Sequence, residues 1–220
     1  YTEMLDEGMV AGPDTRRAYL RTLRAEADRL GHLVENVLSF ARLERGRRSA
    51  HHEIVTVAAM LGSLVPRLTA RAAQAGMELA VGPIQPASRV CVDLSLVEQV
   101  LLNLVDNAIK YAGAGPDRRI HLDVSAADRW LVLTVRDHGP GLHADAVRRL
   151  FRPFSKSAQD AAQSAPGVGL GLALSRRLAR AMGGDLRLVD NGLLGASFAI
   201  TIPRADHPCP DSIPAVDNPT

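Results

Sequence analysis

Lysine is nearly missing from this 220-residue sequence: of its 26 basic residues only Lys110 and Lys156 are lysines, and all the others are arginines. Cysteine is as scarce. Cys91 and Cys209 stand far apart, outside any metal-ligand or redox spacing, so no metal site follows from them, and two structural or incidental thiols in a reducing compartment are expected. No apolar run approaches the ~20 residues that a bilayer-spanning helix needs, and no signal-peptide pattern is present, so membrane contact is not expected from this sequence. The net charge of +2 is too small to argue for nucleic-acid binding, and the arginine-rich stretches interleave with Asp and Glu as solvated helix faces do. The sequence opens at Tyr1, inside an amphipathic segment, and is expected to be a piece of something longer.

What is present is enough apolar residue, 46%, to bury a core. From Thr15 to Arg45, Tyr19, Leu20, Leu23, Ala27, Leu30, Val34, Val37, Leu38, Ala41 and Leu43 recur at the three-and-four spacing of one long amphipathic helix. Gly12-Pro13-Asp14 reads as a turn ahead of it, with Asp14 as cap, so Tyr1–Val10 is the end of a preceding antiparallel helix too short to cover the apolar stripe. After a polar junction the pattern changes. Ile54–Val57 opens the new pattern, a helical stretch through Ala73 ends at Gly76, Met77–Val81 reads as a strand, and a helix follows at Leu94–Ala112. Ile120, Leu122 and Val124 and the run Trp130–Val135 suggest an antiparallel hairpin across Ala126–Arg129. A helix at Leu170–Met182 and strands at Leu186–Val189 and Phe198–Ile202 complete an α+β, two-layer sandwich in which helices cover a mixed sheet, preceded by a partial helical hairpin. The expected division is 1–48 for the hairpin, 49–205 for the sandwich and 206–220 for a proline-rich disordered tail.

Three clusters carry chemistry. At ~100° per residue, Asn103, Asn107 and Lys110 fall on one side of their helix, and Val97, Leu101, Leu104, Val105 and Ala108 on the other. An amide oxygen is a hard ligand suited to Mg²⁺, and an ammonium neutralises phosphates, although the same pattern also fits an ordinary solvated face. The strand Trp130–Val135 runs into Asp137-His138-Gly139-Pro140-Gly141, a carboxylate with glycines that let backbone approach a flat ligand. Asp137 could accept a hydrogen bond from an exocyclic amine. Gly167-Val168-Gly169-Leu170-Gly171 opens a helix, where free N–H groups bind phosphate, and follows a small-residue stretch, Ser155–Pro166, that reads as a mobile flap.

Each cluster alone is weak, but their order resembles the histidine kinase branch of the superfamily that also holds gyrase, the ninety-kilodalton heat-shock chaperone and the mismatch-repair ATPases. The resemblance covers about Glu53 to Pro203. Asn103-x-x-x-Asn107-Ala108-x-Lys110-Tyr111 is similar to the asparagine box, Asp137-x-Gly139-x-Gly141 to the first glycine box, Phe151-x-Pro153-Phe154 to the phenylalanine box, and Gly167-x-Gly169-x-Gly171-Leu172 to the second glycine box. It implies ATP and Mg²⁺ as cofactors, with Asn107 on the metal, Lys110 on the phosphates, Tyr111 against the adenine and Asp137 on its amino group. Gly139, Gly141, Phe154, Gly167, Gly169, Leu170 and Gly171 would shape the nucleotide site, and Asn103 and Lys110 would be the catalytic pair. Lys156, the other lysine, just past the phenylalanine box, is either a site residue near the lid or a solvated surface residue. In hydrolysing relatives the position matching Asn103 is a water-activating glutamate; an amide takes no proton, so transfer to an imidazole is favoured over hydrolysis.

The segment Tyr1–Arg45 looks like the later part of the family's dimerisation and phosphoacceptor hairpin, which implies a homodimer in the full-length protein. The acceptor histidine, followed by an acidic residue and Arg-Thr-Pro, is not in this sequence; His32 falls in the second helix, and His51, His52, His121, His138, His143 and His207 read as surface residues. The resemblance therefore implies a sensor kinase that transfers the γ-phosphoryl to a histidine outside this chain and signals to a response regulator receiver domain. A degenerate kinase that only binds nucleotide is the alternative. The expected setting is the cytoplasm, or the cytoplasmic portion of a membrane-anchored sensor. Arg152 departs from the acidic residue common in the phenylalanine box and is expected to face solvent.

Overall fold

A computed structural model describes residues 12, 14–23, 27, 31, 38, 51–84, 88–113, 115–155, 169–192 and 195–206. The chain divides into two compact units, Tyr1–Arg45 and Gly46–Thr220. In the first, residues 14–23 are helical, as are 27, 31 and 38, in keeping with the amphipathic periodicity, and Leu20 and Leu38 stay about half exposed. The expected preceding helix, most of the second helix beyond residue 23 and the proline-rich tail after residue 206 lie outside the described residues.

The second unit begins with a small antiparallel pair, β1 (Glu53–Thr56) against β3 (Arg89–Val92). Thr56 then caps α1 (Val57–Gln74), its hydroxyl accepting from the Ala59 N–H at 3.1 Å. Gly76, at φ +68°, turns the chain out of α1 towards β2 (Glu78–Val81). Asp93 caps α2 (Leu94–Ala112) by accepting from the N–H groups of Ser95 and Leu96. The hairpin is present as β4 (Arg119–Ala127) and β5 (Trp130–Arg136), with Asp128 at φ +50° in its turn. A six-residue helix, α3 (Ala144–Arg149), precedes the phenylalanine box; α4 (Gly171–Ala181), β6 (Asp185–Gly192) and β7 (Gly195–Pro203) follow.

The five-stranded sheet runs β2-β4-β5-β7-β6, with β2 parallel to β4 and every other pair antiparallel, so the sheet is mixed as the alternation of strands and helices implied. Ile120, Leu122, Leu131, Leu133, Val135, Leu186, Ile200 and Ile202 are buried from the strands. They meet Leu96, Val97, Val100, Leu101, Leu104 and Val105 of α2 and Ala173, Leu174 and Leu178 of α4 in one core. Each such side chain contributes about 1.5–3 kcal/mol by leaving water.

Sequence reasoning missed β3 and α3, four and six residues long. Neither is long enough to display a period; β3 exists because β1 pairs with it. Cys91 lies on β3, fully buried and disulfide-bonded, which corrects the expectation of a structural or incidental free thiol.

At the α4–β6 junction three guanidinium groups converge on one carboxylate. Arg176 donates to both oxygens of Asp185, at 2.8 and 3.1 Å, while Arg180 and Arg187 each donate from Nε at 3.2 Å. The hydrogen bonds from Arg176 foremost, with that from Arg187, hold the Asp185 carboxyl well below the usual carboxylate range. A depressed pKa stabilises the fold above the ordinary carboxylate value and loses that contribution as pH falls towards the folded one. Asp185→Asn should therefore lower the urea midpoint at neutral pH, and the gap to the unsubstituted protein should close as pH drops below about 4. Midpoints measured as a function of pH check this; a gap independent of pH would contradict it.

Candidate functional site

The site is organised by α2, whose apolar face is committed to the core and whose remaining face carries Asn103, Asn107, Lys110 and Tyr111. Asn103 donates from Nδ2 to the Ser175 hydroxyl of α4 at 2.7 Å, across the gap between two helices. Gly171, the first residue of α4, packs so closely on the Asn103 amide that any Cβ there would overlap Oδ1. The start of α4, with its free N–H groups, is thereby held against the asparagine-bearing face. One turn on, the Asn107 side-chain nitrogen is buried without a hydrogen-bond partner. The amide can rotate, so this orphaned group presents either a donor or a hard carbonyl oxygen to whatever occupies the space. Lys110 places its ammonium 4.9 Å from the centre of the Tyr111 ring, and Tyr111 keeps 40% of its surface exposed.

Across from the end of α2, Asp137 follows β5 directly and is only 7% exposed. Its Oδ1 accepts from the N–H groups of Gly139, at 2.8 Å, and Ala196, at 3.3 Å. Both bonds fall on one oxygen, which leaves Oδ2 to meet a ligand donor. Burial pushes the Asp137 carboxyl above its ordinary value, against the pull of those two N–H groups. A Cβ on Gly139 would sit 3.1 Å from the Tyr111 carbonyl oxygen, so the glycine lets the loop close on the C-terminal end of α2.

The structure thus brings Asn103, Gly171 and Leu170 together on one side, Asn107 and Lys110 on the helix between, and Tyr111, Asp137 and Gly139 on the other. Leu170 is buried at the head of α4, and Gly169 before it has φ +73°. Gly141 also lies in the left-handed region, at φ +73°. Phe154 is 62% exposed, with φ +55°. Its neighbour Phe151 is half-buried, with the Arg176 guanidinium 4.7 Å from its ring centre, and Arg152 is exposed as expected. Gly167, Lys156 and the expected flap beyond Ser155 lie outside the described residues.

Two expectations need correction or addition. His121 and His138 are not plain surface residues: they are partly buried and meet edge to face with centroids 5.1 Å apart. Ser175, which orients Asn103, was missed. Its only sequence signal is its position one turn after Gly171, and the contact with Asn103 spans 72 residues.

Comparison with known proteins gives a consistent picture. Residues 92–206 match the family described as histidine kinase-, DNA gyrase B-, and HSP90-like ATPase, and residues 1–46 match the His Kinase A (phospho-acceptor) domain. The sensor protein KdpD of Escherichia coli (strain K12) is 32% identical over 206 residues, which cover 93% of this chain and 22% of KdpD. The sensor protein SrrB of Staphylococcus aureus (strain N315) is 27% identical over 207 residues, covering 94% of this chain and 35% of SrrB. The chain therefore spans only 22% to 35% of the length of these two relatives. Among solved structures, full-length ShkA in complex with AMPPNP is similar with a TM-score of 0.67 at 34% identity, over 86% of this chain and 38% of ShkA. The Acinetobacter baumannii histidine kinase AdeS shares the fold, with a TM-score of 0.67 at 24% identity over 93% of this chain and 91% of AdeS.

The raised pKa of Asp137 has a consequence that needs no ligand. A carboxyl whose folded pKa exceeds its unfolded one costs stability once ionised, so the unliganded fold loses stability as pH rises through the raised value. Asp137→Asn, which keeps an oxygen for Gly139 and Ala196, should thus gain stability relative to the unsubstituted protein as pH rises. Thermal midpoints of the two across the acid range would show it; parallel curves would exclude it.

Proposed function

The chain belongs to the family of histidine kinase-, DNA gyrase B- and HSP90-like ATPases, within it to the sensor histidine kinases, and on that premise we propose that it binds Mg·ATP between α2, α4 and the Asp137 loop and transfers the γ-phosphoryl to a histidine. The observation that carries this reading is a pair of unfilled polar groups: Asp137 Oδ2, and the buried side-chain nitrogen of Asn107, which has no hydrogen-bond partner.

Under this reading Asp137 accepts a hydrogen bond from the adenine amino group, and Tyr111 lies along the base. A carbonyl at that position of the purine would face the carboxylate instead, so guanine is disfavoured. Lys110 and the N–H groups at the start of α4 hold the phosphates. Asn107 is the residue that would hold Mg²⁺: its orphaned amide fits a hard cation that keeps several waters, and the ion would supply charge neutralisation between phosphate oxygens. Asn103 cannot act as a base, and its amide nitrogen is already given to Ser175. It therefore leaves water unactivated. A neutral imidazole needs little activation: its nitrogen forms the bond to phosphorus as the bond to the ADP oxygen breaks, and its remaining ring proton passes to solvent.

The acceptor is supplied by a phosphoacceptor hairpin whose histidine-bearing motif is absent from this sequence, although residues 1–46 match that domain. Dimerisation through the hairpin and onward transfer to a response regulator receiver domain belong to the same proposal. So does a setting on the cytoplasmic side of a membrane-anchored sensor; among the described residues no helix is long and apolar enough to cross a membrane.

Mixing this chain with γ-labelled ATP, Mg²⁺ and a separate hairpin bearing the acceptor histidine is expected to yield acid-labile, base-stable label on the hairpin and little free phosphate. Rapid steady release of phosphate without the hairpin would refute the role given to Asn103. In titrations, Asp137→Asn should weaken ATP by about tenfold to a hundredfold, the worth of one charge-assisted hydrogen bond. Asn107→Ala should abolish the Mg²⁺ dependence of binding. Unchanged titrations for both variants would show the site to be wrongly placed.

A further inference from the structure

The β6–β7 hairpin ends in a device that the four family motifs do not include. Pairing runs Leu186 with Ile200 and Leu188 with Phe198, then shifts, so that Asp190 faces Ser197 and Asn191 faces Ala196. Val189 is the extra residue of this bulge and is more than half exposed. Because side chains alternate along a strand, one inserted residue exchanges the faces of everything beyond it. Without the bulge Asp190 would occupy the face shared by Leu186, Phe198 and Ala196. With it, Asn191 does.

That face is where Asp137 stands, one residue past β5, its N–H bonded to the Ala196 carbonyl at 3.0 Å. Asn191 there makes a reciprocal pair with the backbone of Leu142, accepting from its N–H at 2.7 Å and donating to its carbonyl at 2.8 Å. The side chain imitates a strand partner for a loop that has none. The surrounding backbone is equally close: a Cβ on Gly141 would overlap the Gly192 carbonyl oxygen, and one on Gly195, at φ +121°, would overlap the Asp137 carbonyl oxygen. The loop is therefore gripped at both ends, at Asp137 by β7 and at Leu142 by Asn191.

We propose that Asn191 is a positioning residue for base recognition: by clamping Leu142 it fixes the loop from Asp137 to Leu142 in the conformation that aims the free carboxylate oxygen into the site. This rests on the reading that Asp137 meets the adenine. A clamp of this kind acts on the fraction of molecules whose loop is competent, and an observed dissociation constant is the intrinsic one divided by that fraction. Losing it weakens every adenine nucleotide by the same factor, whatever its phosphates. A residue serving only general stability would lower the unfolding temperature and leave affinity below that temperature unchanged.

The test uses Asn191→Ala and the nearly isosteric Asn191→Leu, titrated with ADP and with ATP well below the unfolding transition, alongside amide hydrogen exchange of the nucleotide-free proteins. Both variants are expected to lose about tenfold in affinity, equally for ADP and ATP. The Gly139 and Leu142 amides should exchange faster while the core strands stay protected. Wild-type affinity in either variant overturns the proposal, as does a loss confined to ATP or an unchanged exchange rate at Leu142. Failure of the unsubstituted protein to bind either nucleotide would instead sink the reading of the site, and this inference with it.

Discussion

The burial of one face of α2 is the constraint on which the rest of this domain depends. Leu96, Val97, Val100, Leu101, Leu104, Val105, Ala108 and Ala112 are all withdrawn from water, so the helix has no rotational freedom about its axis. Asn103, Asn107, Lys110 and Tyr111 are covalently fixed to the other sides of the same cylinder. Whatever secures the core therefore also aims the polar groups. Functional sites built on helices packed in this way hold their geometry better than sites carried on loops. Ser175 extends the arrangement by joining Asn103 to α4, so the start of α4 is registered against the helix that carries the amides.

The opposite wall is organised on another principle. Asp137 is a carboxylate kept out of water at a cost, and its raised pKa is the measure of that cost. The backbone N–H groups of Gly139 and Ala196 offset part of it, and both are spent on one oxygen. A fully satisfied carboxylate would be cheaper to bury and would have nothing left for a ligand. The close contacts at Gly141 and Gly195 leave no space for a side chain, and that at Gly139 leaves little, so backbone approaches backbone along this wall. The phenylalanine box is tied in from the side, since the Arg176 that covers Phe151 is the same residue that anchors Asp185.

Much of this was legible in the residues. The period of α2 gave both its buried face and its polar one, and the hairpin of β4 and β5 followed from an alternating run and an apolar run with a short turn between them. The four ordered motifs carried the family, because each marks a local need: a glycine where backbone must come close, an amide or carboxylate where a ligand must be met. What escaped was short or non-local. β3 has four residues and becomes a strand only through β1. Cys91 read as a free thiol, structural or incidental, because a disulfide is a fact about distance in space, not spacing in sequence.

By itself, then, the sequence determined the things that depend on neighbours along the chain: the faces of α2, the strand alternation, and the order and content of the motifs. Tertiary structure alone decided how those pieces are held in register. The Asn103–Ser175 bond spans 72 residues, the Asp137–Ala196 bond 59 and the Asn191–Leu142 clamp 49. No local pattern encodes such separations. The face that Asn191 presents hangs on a single bulged residue, whose effect appears only once β6 lies against β7.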